Sequence, residues 1–174
     1  MIQPTHSSNR ILRPARNWFI ITTLLLALVA NMLPVGRLPA FPDCVALILA
    51  FWCVREPLKV GMGAAFLLGL AMDIPDASVV GQHSLAYVLL AYAADNLSRR
   101  ILWFSLGKQA LQLLPLLLLT QLAMMVIRLI GGAEFPGLAY FSGSFIATLL
   151  WYPLTYLLLL PQYQPQDKDE NRPI

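Results

Sequence analysis

The sequence predicts an all-α, polytopic membrane protein with six transmembrane helices. Three observations predict it. Of the 174 residues, 58% are hydrophobic; only 12% are charged; and the charges punctuate the chain into six apolar blocks. A soluble domain carries about 25% charged residues, and a core of this size cannot hide so much apolar surface from water. Mean hydropathy is +0.66, and a bilayer covers the excess.

Block one is Asn17–Leu33, preceded by Arg10, Arg13 and Arg16. That flank suits a signal peptide, but the block ends Asn-Met-Leu-Pro-Val-Gly-Arg rather than in a small-residue cleavage site, so it reads as an uncleaved first span. Block two runs from about Phe41 to Val54, block three is Val60–Met72 and block four is His83–Ala94. Block five is the uncharged stretch Gln109–Ile127, interrupted by Pro115. Block six is Leu138–Leu160, interrupted by Pro153. Prolines are tolerated in membrane helices because neighbours satisfy the freed carbonyls. A hydrocarbon core of about 30 Å wants about 20 helical residues. Blocks one, five and six approach that length. Blocks two to four are shorter and need flanking residues or local thinning. Alternatively, blocks two and three form a re-entrant hairpin around Arg55, Glu56 and Pro57.

Charge decides between these arrangements, because cytoplasmic loops collect Lys and Arg. With six spans and both termini inside, the inner side holds Arg10, Arg13, Arg16, Arg55, Lys59, Arg99, Arg100, Lys108, Lys168 and Arg172; the outer side holds Arg37 and Arg128. That ten-to-two split falls to eight-to-four if Arg55 and Lys59 move outside with a re-entrant hairpin. The expected organisation is a cytoplasmic segment over residues 1–16, one six-helix domain over 17–160, and a Pro-, Gln- and charge-rich cytoplasmic tail over 161–174. Trp18, Trp103 and Tyr163 lie near span ends, as interfacial anchors do.

The most patterned positions are Gly61, Ala65, Gly69 and Asp73, four apart in block three. On a helix they share one face, and small residues at that spacing let another helix approach closely. The neighbour is either a helix of the same chain or a partner's transmembrane helix. A second candidate set is a polar cluster on the outer side: Asp43, Asp76, Gln82, His83, Arg128 and Glu134. Asp43, after Pro42, reads as the N-cap of block two. Asp73 and Asp76 read as capping or loop groups at the interface, and Arg128 as a snorkelling partner for Glu134. In block five, Gln121 and Arg128, seven apart, share a helical face, and Gln109, Gln112 and Thr120 also line roughly one side; such amides hydrogen-bond between helices.

Other chemistry finds no support. His83 has no ligand pattern around it, and no Gly-x-Ser-x-Gly, His-Glu-x-x-His or phosphate-loop motif occurs. Catalytic residues, cofactor and metal are therefore expected to be absent. Cys44 and Cys53 are nine apart in one block, about 13 Å of helical rise, too far for a disulfide. Net charge is +3, but the cations sit between apolar runs and make no nucleic-acid footprint. Oligomeric state is not legible.

Several stretches together resemble the MreD family of bacterial rod shape-determining membrane proteins. They are Pro42-Asp43 leading to Phe51-Trp52, Ala65-Phe66-Leu67-Leu68-Gly69-Leu70 with Asp73, Gly81-Gln82-His83-Ser84-Leu85-Ala86-Tyr87, the run Gln109 to Gln121, and the closing Asp169-Glu170-Asn171-Arg172-Pro173-Ile174. Lys108-Gln109 stands where the family often has two glutamines, and Ser84 where an alanine often follows Gln-His. The resemblance implies a non-enzymatic scaffold of the inner membrane that binds MreC. It also implies association with the actin-like MreB filament, RodZ, the glycosyltransferase RodA and its penicillin-binding transpeptidase in sidewall peptidoglycan synthesis. It further implies a fold similar to the substrate-binding components of vitamin transporters, which makes such a transporter component the rival reading. Those components usually carry an Ala-x-x-x-Ala ladder on the first span, where this chain offers only Ala27 and Ala30. The inner loops carrying Arg55 with Lys59, and Arg99, Arg100 with Lys108, suit anionic membrane lipid or an acidic filament surface. Topology alone also accounts for them.

Overall fold

The structure, a computed structural model, describes residues 15–33, 41–76 and 81–162. All regular structure among them is helical. In chain order it comprises α1 (Asn17–Met32), α2 (Cys44–Arg55), α3 (Met62–Asp76), α4 (Gln82–Leu102), α5 (Leu106–Ile130) and α6 (Ser142–Leu159), with 3-10 turns at Leu138–Phe141 and Leu160–Gln162. Each expected block contains one helix. The largest boundary difference is α4, which runs on through Asp95, Arg99 and Arg100 to Leu102, eight residues beyond the apolar block. Charges mark where hydrocarbon would end, but they do not break a helix; Arg is a good helix former and Asp costs at most about 0.7 kcal/mol relative to Ala.

The bundle is organised around α2. Nine of its twelve residues are buried, Val45, Leu49, Ala50, Phe51, Trp52 and Cys53 completely. A helix hydrophobic all round belongs inside, and here α1, α4 and α6 pack against it while α3 lies along α4 and α5 lies between α4 and α6. Trp52 Nε1 donates to Thr23 Oγ1 of α1 at 2.9 Å, and its ring meets Phe19 and Phe51 edge-on. Phe51 in turn leans on Trp151 of α6, ring centroids 5.7 Å apart.

Contacts at the helix ends establish direction. At one end, Glu56 Oε1 accepts the Ala15 N–H at 3.0 Å and Lys59 Nζ donates to the Ala15 carbonyl at 2.7 Å, clamping the α2–α3 turn to the start of α1. At the other, Tyr87 of α4 donates to Asp43 at the start of α2. Thus α2 and α4 run parallel, and α2 travels from one end of the bundle to the other instead of turning back midway. Among the described residues, Arg16, Arg55, Lys59, Arg99, Arg100 and Lys108 all fall at the clamped end, and Arg128 at the opposite end. Two helical stretches of 25 residues, Leu106–Ile130 and Leu138–Gln162, are long and apolar enough to cross a membrane. Asn17–Met32, Cys44–Arg55 and Met62–Ile74 are apolar but shorter. Cys44 and Cys53 are both free thiols.

Candidate functional site

The polar side chains concentrate where α4 begins. Gly81 occupies the N-cap with φ +99°, a left-handed conformation that suits glycine. Glycine has no side-chain oxygen to cap the orphan N–H groups of the first turn. Asp73, near the end of α3, supplies it from the neighbouring helix. Its Oδ2 accepts from Gly81 N (2.8 Å) and Ser84 Oγ (3.0 Å); its Oδ1 accepts from His83 N (3.0 Å) and His83 Nδ1 (2.9 Å). An ionised carboxylate only accepts, so the His83 proton sits on Nδ1. The α4 dipole further stabilises the anion. Asp73 is 5% exposed, whereas the sequence reading placed it at a solvated interface. Its burial is sustained because every oxygen is spent on a donor.

Gly69 makes this close pairing possible. A Cβ built there would lie 2.3 Å from Ser84 Cα and 2.4 Å from Ser84 N. The backbones of α3 and α4 therefore touch at Gly69, one turn before Asp73. Ala65 is fully buried, while nothing stands within 4 Å of a Cβ at Gly61. Of the four positions at helical spacing, Gly69 and Asp73 are thus engaged with α4 of the same chain.

A second carboxylate ties three helices together. Asp43 caps α2 through Ala46 N (2.9 Å) and accepts from Asn31 Nδ2 of α1 (2.8 Å) at the same oxygen; its Oδ2 accepts from Tyr87 Oη (2.8 Å). Asn31 Oδ1 in turn accepts from Cys44 N at 3.0 Å. Tyr87 is fully buried, one turn beyond His83, with ring centroids 5.8 Å apart. Arg128, at the end of α5, donates through Nε to Gln82 Oε1 at 3.0 Å; the amide nitrogen then lies 3.2 Å from His83 Nδ1, a donor–donor contact and not a bond when Nδ1 carries the proton. Glu134, the partner that sequence offered for Arg128, lies on the exposed stretch after α5. The structure therefore gathers Asp43, Gln82, His83 and Arg128 around the first two turns of α4. The side chain of Asp76, like Arg37 and Tyr163, lies outside the described residues.

Block five divides. Gln121 does bond between helices, accepting from Ser144 Oγ of α6 at 2.6 Å and donating to the Tyr140 carbonyl at 3.2 Å. Gln109 instead donates to Phe104 O in the preceding turn, and Thr120 to Leu116 O one turn back. Sequence reasoning assigned no bonding role to Asn31, Ser84, Tyr87 or Ser144. The His83/Tyr87 spacing of four was the one local signal for Tyr87; the others are ordinary polar residues whose partners come from distant segments. Nor was Gly143 noticed, where a Cβ would lie 2.9 Å from the Phe41 carbonyl.

Chemically, this is a set of saturated structural bonds. His83 and Ser84 both donate to Asp73, so the imidazole and hydroxyl do not form a nucleophile–base pair. No three His, Cys, Asp or Glu side chains converge in a metal-binding group among the described residues. Between α2, α5 and α6, a cavity of about 10 Å3 is lined by Asp43, Thr120, Gln121 and Ser144, which is room for one water. This cavity is far smaller than the ~300–1,000 Å3 of a typical small-molecule site.

The comparisons with known proteins agree with one another. The family model for rod shape-determining protein MreD matches residues 13–161. The rod shape-determining protein MreD of Haemophilus influenzae is 30% identical over 149 residues, covering 82% of this chain and 89% of the relative. No solved structure matches. A match spanning all six helices, from just before α1 to the end of α6, makes this chain a member of the MreD family of rod shape-determining proteins.

Proposed function

We propose that this protein is a non-catalytic scaffold of the bacterial elongation complex. It crosses the inner membrane six times with both termini in the cytoplasm, binds MreC and helps organise sidewall peptidoglycan synthesis with RodA, its penicillin-binding transpeptidase, MreB and RodZ. Family membership supplies the link to rod shape. The observation that carries the scaffold reading is how the polar groups are used. Asp43, Asp73, Tyr87, His83 and Gln121 all bond within the bundle. Large apolar side chains stand exposed on α1, α3, α5 and α6: Leu26, Leu67, Leu111 and Leu149 are 63%, 67%, 69% and 80% exposed. Such a surface suits lipid and partner helices. Recognition then falls to helix faces and short turns.

Membrane crossing by the shorter helices is supported by their end-to-end course in the bundle and by the charge split. The six described cations at the clamped end support a cytoplasmic position for it. The enclosed α2, only about 18 Å long, meets protein on nearly all sides, so hydrocarbon thickness does not constrain it as it would a lipid-facing helix.

The test is a mild-detergent pull-down of the tagged chain from its native membrane. Recovery of MreC and wall-synthesis enzymes is expected. Recovery of an energy-coupling ATPase pair, or of a bound small molecule without wall proteins, would replace the scaffold with a transporter component.

A further inference from the structure

We infer that the α4–α5 turn is a binding site for the headgroup of an anionic phospholipid. The inference rests on the membrane reading above. The turn is Trp103-Phe104-Ser105, and it is held from both sides: Gln109 Nε2 donates to the Phe104 carbonyl at 2.8 Å and Phe104 N donates to Ile101 O at 3.2 Å. Its shape is thus set before anything binds, which lowers the ordering cost.

Three cations flank it along the chain. Arg99 and Arg100 end α4 and Lys108 opens α5; all are exposed, and Lys108 Nζ stands 5.9 Å from the Phe104 ring centroid. The chain holds no Asp or Glu from Asn96 to Ala133. The nearest acid along α4 is Asp95, one turn before Arg99, and it leaves the patch with a net charge of +2 from three cations and one acid. Trp103 is 90% exposed, against 1% for Trp151 and 0% for Trp52. An indole this exposed is a costly surface in water.

The surface beyond it decides the occupant. On α5, beyond Lys108, the exposed surface turns apolar, with Leu111 69% exposed and Leu119 53% exposed; on α4, Leu102 is 39% exposed. One ligand must lie against an apolar helix surface, contact an indole and present a negative charge to cations at the helix end. A phospholipid has that order of parts: acyl chains, interfacial glycerol, anionic phosphate. An acidic protein surface matches the cations but leaves the adjoining leucines and Trp103 without an apolar partner.

The experiment uses full-length protein in mild detergent, equilibrated with an equimolar mixture of phosphatidylglycerol and phosphatidylcholine, with retained lipids counted by native mass spectrometry. Preferential retention of phosphatidylglycerol is expected. Lys108→Gln and Arg100→Gln, both on exposed side chains, should each lower the preference by about fivefold, the effect of one basic side chain at an anionic surface. Arg16→Gln, a cation at the same end but on α1, should leave it unchanged. Equal retention of both lipids by the wild type, or unchanged preference in both turn variants, overturns the inference. So does a pair of variants that keep phosphatidylglycerol but lose a co-purifying protein, since the turn would then be a protein surface. A carbonate wash of native membranes separates the two readings. A chain that stays in the pellet yet shows no anionic preference removes the lipid site alone; a chain that leaves with the wash removes the membrane reading beneath it.

Discussion

At the scale of single residues, the two bundle carboxylates, half-buried Asp43 and buried Asp73, have opposite relations to their helices. Asp43 caps its own helix, as its position before an apolar run suggests. Asp73 caps the next one, because Gly81 cannot. Asp73→Ala leaves two backbone N–H groups, a hydroxyl and an imidazole N–H without their acceptor. A loss of about 2–4 kcal/mol is expected, read as a lower melting temperature in mild detergent; Asp73→Asn should lose less, since its carbonyl oxygen still accepts. Gly69→Ala must push α3 from α4, because its Cβ would meet backbone, not a movable side chain. A cost of about 1–3 kcal/mol follows. A Gly69→Ala protein that melts with the wild type would show that the two backbones do not touch there. Since Gly69 faces α4, Gly69→Leu bears on the bundle itself, and MreC co-purification with that variant is informative only beside its melting curve.

At the scale of elements, α2 is the axle. It joins α1 through Thr23–Trp52, α4 through Asp43–Tyr87 and α6 through Phe51–Trp151. Replacing Thr23 with Val keeps the volume and strands the Trp52 Nε1–H in an apolar core. About 1–3 kcal/mol of destabilisation is expected by the same melting assay. The α5–α6 pair depends more on side-chain hydrogen bonding. A double-mutant cycle of Gln121→Leu with Ser144→Ala should return a coupling of about 0.6 kcal/mol, typical of hydrogen bonds between membrane helices. Strict additivity would mean that the 2.6 Å bond contributes nothing beyond packing. The extension of α4 past Ala94 is an element-scale lesson: composition marks the edge of an apolar zone, whereas backbone hydrogen bonding continues until a turn is encoded, here by Trp103 to Ser105.

For the whole molecule, the contested feature is whether α2 and α3 traverse the membrane. Leu58, at the turn between them, is fully exposed. In a cysteine-free background, Leu58→Cys should react with a membrane-impermeant thiol reagent only after cells are opened, and Ala133→Cys, in the exposed stretch after α5, in intact cells. Labelling of both from outside would restore the re-entrant hairpin. The clamp of Glu56 and Lys59 on Ala15 favours the crossing, because it pins the turn to the end of the bundle where α1 starts.

The sequence by itself determined the all-helical class, the six apolar segments, the N-cap at Asp43 and the family. All of these depend on local quantities: run length, charge placement, motif order. Only the tertiary structure decided that the shortest helix is the core, that Gly69 meets α4 of the same chain, and that Asp73, His83 and Ser84 share one carboxylate. It also exchanged Glu134 for Gln82 beside Arg128 and brought Asn31 and Tyr87 to Asp43. Those outcomes depend on which helices become neighbours. Apolar segments of similar composition carry little information about that, since apolar burial is non-directional and set by area. The choice is made by close backbone approach at small residues and by pairing of buried polar groups, and both join positions far apart in the chain.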